Sequence, residues 1–325
     1  MDKAGEMIQS GGIVGPIILI GANGFIGTHL LRELSLHQNV EIRAVVRKHI
    51  LPTESQAANI KTYTGNLLQP ESLWAILSPG CTVINLAYLR EADQRANLEA
   101  IENLAQACVR ARVKRLVHCS TVMVFGNSCQ SVIDEDAPCF PKTKYEVTKL
   151  AVENKLLDGY QHQFELAILR PAAVFGPNGK NLLKLADDLS NGSRIANYLK
   201  SCLSHSRRMN LVSVANVVAA ILFLADTNRP LAKSVYIISD DDNRNNTYPY
   251  IEQYLMRKLG IPPYAVPPLL VPSLFLHVLL KLLGNPHTNT RRVYQGKNLA
   301  AAGFVKPVKF EAGLDSFVDW YRGSF

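Results

Sequence analysis

The sequence predicts an α/β fold, a Rossmann-type doubly wound parallel sheet with a smaller, discontinuous C-terminal substrate domain, and three observations predict it. Short apolar runs alternate with helical segments in a β-α-β-α rhythm from residue 17 to residue 171, the pattern of a parallel sheet covered by helices on both faces. A glycine series at 21–27 joins the first strand to the first helix. After Pro177 the rhythm breaks and resumes only briefly, so pieces of a second unit interrupt the sheet. The expected division is 14–177 plus 210–240 for the sheet domain and 178–209 plus 241–325 for the second.

In chain order, IILI (17–20) reads as a buried parallel strand and is followed by the glycine series and an amphipathic helix through Glu33. EIRAVVR (41–47) and NIKTYTG (59–65) are the second and third strands. A short helix over 72–77 precedes the strand CTVINLA (81–87), and 93–112 is a long helix with few β-branched residues. VKRLVHCST (113–121) is the next strand, 144–157 a helix and FELAILRP (164–171) another strand. Beyond Pro177 come a helix near 180–190, a polar stretch, a short strand feeding a helix within 210–225, the strand SVYIISD (234–240) and a final helix at 313–321. No repeat and no low-complexity tract interrupts this series.

Composition is that of a globular chain, with 47% apolar and 19% charged residues among 325. Six cysteines show no C-x-x-C pair and no zinc-like spacing, so neither a metal site nor a disulfide framework is expected, and a reducing, cytoplasmic setting suits them. The net charge of +8 fits nucleic acid, an acidic membrane surface or an anionic small ligand. The basic residues form only short runs and no stripe interleaved with aromatics, which argues against nucleic acid. The N-terminus carries Asp2 and Glu6 where a secretion signal would be basic. The apolar, proline-interrupted 262–283 segment is too short in its helical part to span a bilayer; a lid, a core helix or a peripheral membrane contact through 268–283 is expected instead.

Gly21-Ala22-Asn23-Gly24-Phe25-Ile26-Gly27 lies between strand and helix, the setting that a dinucleotide loop requires. Gly21 lets the chain turn off the strand, Gly24 lets backbone approach a pyrophosphate, and Gly27 lets the helix close on the sheet. The free N–H groups of the helix's first turn then bind the anion. The second strand closes on Arg47 and Lys48, with no acid between 42 and 53. An acid there would take the ribose 2′-hydroxyl, whereas a guanidinium can stack on adenine and fork onto a 2′-phosphate. NADP is therefore preferred over NAD.

Tyr145 and Lys149 stand at i and i+4 on one helix face. Bringing a phenol from about 10 to about 7 needs ~4 kcal/mol of differential stabilisation, which an adjacent ammonium and an oxidised nicotinamide together favour. Tyr145 can then exchange a proton with a hydroxyl or carbonyl. With 12 tyrosines and 35 basic residues, such a spacing arises by chance roughly once. Its position on the helix after the strand ending Ser120-Thr121 gives it weight, because ligands of parallel sheets gather beyond the carboxyl ends of strands.

GANGFIG (21–27), Gly65-Asn66-Leu67, NLAYL (85–89), STVMVFG (120–126), YEVTK (145–149), RPAAVFGP (170–177) and the ending GFVKPVKFEAGLDSFVDWY (303–321) occur in an order that resembles the extended short-chain dehydrogenase/reductase superfamily, specifically its NAD-dependent epimerase/dehydratase branch acting on nucleotide sugars. The resemblance implies a catalytic set of Thr121, Tyr145 and Lys149. It implies a dinucleotide held by Gly21, Asn23, Gly24, Phe25, Ile26, Gly27, Arg47, Lys48, Asn66, Leu67, Leu86, Ala87, Pro171 and Val174, together with Tyr145 and Lys149. On the substrate side it points to Tyr88, to Asn97 and to Asn181, Arg208 and Arg292 as diphosphate ligands. A homodimer built on helices 93–112 and 144–157 is also implied by the resemblance.

The departures matter as much. Asn66 replaces the family's usual Asp, Phe125 its usual Tyr, and Asn216 its Asp in a V-x-D stretch, as in branches active on membrane-linked glycan precursors. After Thr121 come Val122 and Met123, not the acids that dehydration needs for proton elimination. The expectation is a reductase of a 4-keto sugar nucleotide, with a 4-epimerase that retains its cofactor as the alternative. A steroid or lipid alcohol dehydrogenase and a non-catalytic dinucleotide sensor stand behind both.

Overall fold

The computed structural model describes residues 15–47, 57–204, 207–269 and 291–324. Seven parallel strands form the central sheet: β1 (Ile17–Ile20), β2 (Ile42–Val46), β3 (Ile60–Thr64), β4 (Thr82–Asn85), β5 (Arg115–Cys119), β7 (Glu165–Pro171) and β10 (Val235–Ile238). Their order is β10-β7-β5-β4-β1-β2-β3. The chain winds outward in one direction from β1 through β2 to β3, then returns to build β4, β5, β7 and β10 on the other side. The direction reverses between β1 and β4, which opens a crevice at their carboxyl ends.

Alternation along β1 explains why the sheet is covered on both faces. Ile17 and Leu19 enter one core with Leu30, Leu31 and Leu34 of α1 (Phe25–Leu34) and the buried face of α7 (Val214–Ala225). Ile18 and Ile20 enter the opposite core with Leu73 of α2 (Glu71–Trp74), Leu104 and Cys108 of α3 (Gln94–Arg110) and Val152 and Leu156 of α4 (Lys144–Tyr160). Successive strand side chains point to opposite faces, so one four-residue run serves both cores.

A third core lies apart from the sheet. Phe175, Leu182, Leu211, Ile251, Leu255, Phe310, Leu314 and Phe317 pack together. They come from β8 (Ala173–Phe175), α5 (Lys180–Asn191), β9 (Leu211–Ser213), α8 (Tyr248–Lys258) and the C-terminal helix Phe310–Gly323. β8 pairs with β9, and β6 (Val132–Ile133) with β11 (Val293–Tyr294), each a short parallel pair. The polar stretch expected after residue 190 holds α6 (Arg194–Ser204), which buries Asn197, Ser201 and Cys202 and leaves Ile195 and Leu199 exposed. The short helix expected over 72–77 is only Glu71–Trp74. Of the segment 268–283, all but residues 268 and 269 lies outside the described residues, as does Lys48. Among the described residues no helix is long and apolar enough to cross a membrane.

Candidate active site

The glycine loop is built for close backbone approach. Gly21 has φ +86, and a Cβ there would lie 2.9 Å from the backbone nitrogen of Ala87 and 3.0 Å from the carbonyl carbon of Leu86. The loops after β1 and β4 therefore touch, which places Leu86 and Ala87 at the rim of the crevice. A Cβ on Gly27 would run into the backbone of Ala22, 2.9 Å from its carbonyl carbon, and onto the Gly21 carbonyl, so α1 can pack this close only with glycine. Gly24 caps α1 from the extended region, Asn23 and Gly24 are exposed, and the helix's first turn carries no acid. Phe25 packs edge-on against His29, whose Nε2 lies 2.9 Å from the Pro177 carbonyl oxygen. The residues present fit the pyrophosphate of a dinucleotide: an open helix end with unclaimed N–H groups, behind a cradle that any side chain would fill.

Other expected contacts lie at the same edge of the sheet. Arg47 is exposed just past β2. Asn66 follows β3, where its Oδ1 accepts from Leu68 N at 3.1 Å and shapes the turn. Leu67 is buried and its carbonyl accepts from Asn103. Pro171 ends β7 and is buried, while Val174 lies half-buried on β8.

The first turn of α4 is locked by a capping box. Thr143 Oγ1 accepts from Glu146 N at 3.3 Å, and Glu146 Oε2 accepts from Thr143 N at 3.2 Å and Lys142 N at 2.8 Å. Tyr145 and Lys149 ride on this turn and the next. Lys149 is 5% exposed, donates to the Cys119 carbonyl at 3.1 Å and lies 4.9 Å from the centre of the Tyr88 ring. Tyr88 meets Tyr145 edge-to-face at 5.1 Å. Thr121 Oγ1 accepts from Met123 N at 3.2 Å and lies close enough to the Tyr145 phenol to favour its ionised form. Thr121, Tyr145, Lys149 and Tyr88 thus form one constellation at the carboxyl ends of β4 and β5.

Of the two charges expected to acidify the phenol, the ammonium and an oxidised nicotinamide, the ammonium does not do so by itself. Burial, with lesser contributions from Cys119 and Tyr88, pushes the Tyr145 phenol up to about 12, against opposing help from Thr121 and the cation of Arg90. Burial likewise holds the Lys149 ammonium below the ordinary lysine range. The protein alone keeps Tyr145 as an acid rather than a base. A proton donor is what ketone reduction requires, so the reduction rate is expected to stay level from pH 6 to pH 9, whereas alcohol oxidation should climb about tenfold per pH unit. Paired initial-rate profiles in the two directions check this, and a reduction rate that falls steeply within that range would contradict it.

Several expected substrate ligands are placed otherwise. Arg292 is 5% exposed and donates to the carbonyls of Gly126 and Ser128, each at 2.7 Å. The guanidinium expected as a diphosphate ligand here clamps the loop behind Thr121. Arg208 is half-buried and donates to the Asp241 carbonyl at 2.8 Å, and Asn181 donates to the Val174 carbonyl at 2.6 Å. Asn97 exchanges hydrogen bonds with both the N–H and the carbonyl of Leu89, at 3.1 Å, so it holds the loop that carries Tyr88. Arg90, Asn85 and His118 belong to the site and escaped sequence reasoning. Asn85 and His118 meet only through the β4–β5 register, and nothing in either strand announces its partner. No cluster of three or more metal-ligating side chains occurs among the described residues.

Residues 17–239 match the model of the NAD dependent epimerase/dehydratase family. The chain belongs to that family. It is an NAD(P)-dependent enzyme of the nucleotide-sugar epimerase/dehydratase type. Among relatives of this family member, N-acetyl-alpha-D-glucosaminyl-diphospho-ditrans,octacis-undecaprenol 4-epimerase of Escherichia coli O157:H7 is 23% identical over 320 residues, 92% of this chain and 93% of that protein. A 4-hydroxy-2-methyl-3-oxo-4-farnesyl-3,4-dihydroquinoline-1-oxide ketoreductase of Stigmatella aurantiaca is 27% identical over 68% of this chain and 66% of its own length. The fold is shared with the Bordetella bronchiseptica enzyme WbmG, solved in complex with NAD and UDP, at a TM-score of 0.71 and 19% identity, covering 95% of each chain.

Proposed function

We propose that this enzyme reduces the ketone of a keto sugar carried on a diphosphate, using NADPH, with Tyr145 giving the proton to the ketone oxygen. The observation that carries this reading is Arg47, exposed just past β2 with no acid between residues 42 and 53 to claim a ribose hydroxyl. A bound dinucleotide supplies the hydride. Thr121 aligns the ketone oxygen with the phenol, and Lys149 holds positive charge beneath the pair. Dehydration is disfavoured because buried Val122 and apolar Met123 follow Thr121, leaving no carboxyl to take a carbon-bound proton.

Arg47→Ala is expected to cut the NADPH-over-NADH preference about tenfold, the worth of one charge-assisted fork at an exposed site. Titrating both reduced cofactors into parent and variant checks it, and an unchanged ratio would remove the argument. The reaction itself is tested by mixing the enzyme with a 4-keto sugar nucleotide and NADPH. Stoichiometric loss of NADPH supports reduction.

A second reading, 4-epimerisation, is favoured by the E. coli relative named as a 4-epimerase, which matches over nearly the whole chain. Interconversion of C4 epimers without net change in cofactor would establish it. The same relative's substrate name and that of the S. aurantiaca ketoreductase both contain isoprenoid groups, so an amphiphilic substrate and a peripheral membrane contact belong with this reading. Liposome flotation tests the contact. A homodimer through α3 and α4 completes the proposal. Their outer faces flank a surface groove of about 700 Å³ lined in part by Glu102, Gln106, Val109, Arg110, Lys155 and Tyr160.

A further inference from the structure

Beneath Lys149 lies a cavity of about 20 Å³, lined in part by Asn85, Ala87, Tyr88, Asn97, His118 and Lys149. That volume suits a single water, which needs two to four polar partners to stay. The hydrogen bonds around the cavity settle which partners donate. Ala87 N donates to Asn85 Oδ1 at 3.1 Å, which fixes the amide so that its Nδ2 faces His118 Nδ1, also at 3.1 Å. An amide NH₂ can only donate, so Nδ1 accepts and the ring proton sits on Nε2. The strand register holds the pair: Asn85 of β4 stands directly opposite His118 of β5.

His118 is 2% exposed, and its Nε2 has no protein partner among the described residues. Burial, reinforced by the charge of Lys149, pushes this imidazole down to about 3, so the ring is neutral at any working pH. A neutral ring protonated on Nε2 directs one N–H away from Asn85. The Lys149 ammonium has three donors, of which one goes to the Cys119 carbonyl. Asn97 Oδ1 keeps a lone pair after accepting from Leu89 N. His118, Lys149 and Asn97 all line the cavity, so two donors and one spare acceptor are available to a single water there.

We propose that this cavity binds a water that accepts from His118 Nε2–H and from Lys149 Nζ, and that His118 is thereby a positioning residue for Lys149. Fixed by the water and by the Cys119 carbonyl, the ammonium stays charged and seated against Tyr88, which itself packs on Tyr145. The neutral ring does this without placing a second cation beside Lys149. Only the consequence for turnover rests on the proposed role of Tyr145 as proton donor; the tautomer and the water do not.

The test begins with the parent protein free of substrate. Long-range ¹H–¹⁵N correlation spectra, with His118→Phe used for assignment, should show His118 neutral and protonated on Nε2 down to pH 5. In Asn85→Asp the carboxylate should move the proton to Nδ1. A parent ring protonated on Nδ1, or charged at pH 5, overturns the proposal whatever the enzyme's reaction proves to be. On the keto sugar nucleotide with NADPH, His118→Phe should lower kcat about tenfold with KM and dinucleotide affinity unchanged, and in the alcohol-oxidation direction displace the rising pH profile upward by about one pH unit. His118→Gln, whose amide nitrogen reaches the Nε2 position, should recover most of the loss. If the tautomer is as assigned but His118→Phe leaves kcat and the pH profile as in the parent, the positioning role is wrong. If the enzyme ignores the ketone while the tautomer and a crystallographic water stand, only the functional reading fails.

Discussion

Replacing Tyr145 by Phe is expected to lower turnover by about 10²- to 10⁴-fold, the usual worth of a positioned proton donor, while leaving dinucleotide affinity intact. The expectation follows from what the phenol does not do. It is 40% exposed, its ring is held by Tyr88 rather than by the core, and its removal opens no cavity. The cofactor loop around Gly21, Gly24 and Gly27 lies on other elements. Stability and binding should therefore survive the change, and the loss should fall on kcat. Equal turnover by the Phe variant on authentic substrate would end the assignment. Lys149→Met separates the two roles: it removes the ammonium against Tyr88 and leaves the Tyr145 phenol itself.

The second large effect is on stability. Arg170→Met is expected to destabilise the fold by roughly 3–5 kcal/mol, because it strands a charge. Glu153 is 0% exposed and Arg170 5%, and the guanidinium reaches the carboxylate through Nε at 3.1 Å and Nη2 at 2.5 Å. The Arg170 guanidinium also lies 4.9 Å from the centre of the Phe125 ring. Burial works against its charge, and the Glu153 carboxylate more than compensates, holding it above the ordinary arginine range. The pair ties β7 to α4 from inside, next to the strand and helix that carry the site. Replacing both partners by apolar residues of similar size should restore much of the loss, since the penalty belongs to the unpaired carboxylate. Urea unfolding of the single and double variants measures it, and a single variant within 1 kcal/mol of the parent would mean that water reaches Glu153.

Much of the architecture was legible in the chain because it rests on local pattern. The seven sheet strands were expected within about two residues of their ends. Short strand-like runs are set off by turn residues, and β1, β4 and β5 are followed by helices of 10 to 17 residues, α1, α3 and α4. The glycine loop was legible for a different reason: three glycines at fixed spacing between strand and helix have few purposes, and the crowding at Gly21 and Gly27 shows why no other residue would serve. Helices α6 and α8 were not legible. α6 buries polar Asn197 and Ser201 while leaving Ile195 and Leu199 exposed, and α8 buries the charged Glu252 among five aromatic or apolar residues, so in neither does the buried face match the apolar pattern of the sequence.

The residues whose placement surprised are those whose partners are distant in sequence. Arg292 sits beside Arg291 in what reads as a basic surface pair, yet its own guanidinium is buried on the carbonyls of Gly126 and Ser128, more than 160 positions away. No pattern within the segment reports that burial. The phenol of Tyr145 is a case of the same kind. Its spacing from Lys149 suggested an ammonium lowering its pKa, whereas the fold sends that ammonium to the Cys119 carbonyl and sets the phenol near Cys119 and Tyr88.

By itself the sequence determined the winding of the sheet, the loop that receives a dinucleotide and the helix that presents Tyr145 and Lys149, because periodicity and backbone sterics act over a few residues. Only the tertiary structure decided which charges are buried, which way each side chain spends its hydrogen bonds, and that Asn85 and His118 share a chamber with Lys149. Those outcomes depend on strand register and on packing between segments tens to hundreds of residues apart. Burial, which sets pKa and hydrogen-bond demand, belongs to the assembled fold and not to any stretch of it.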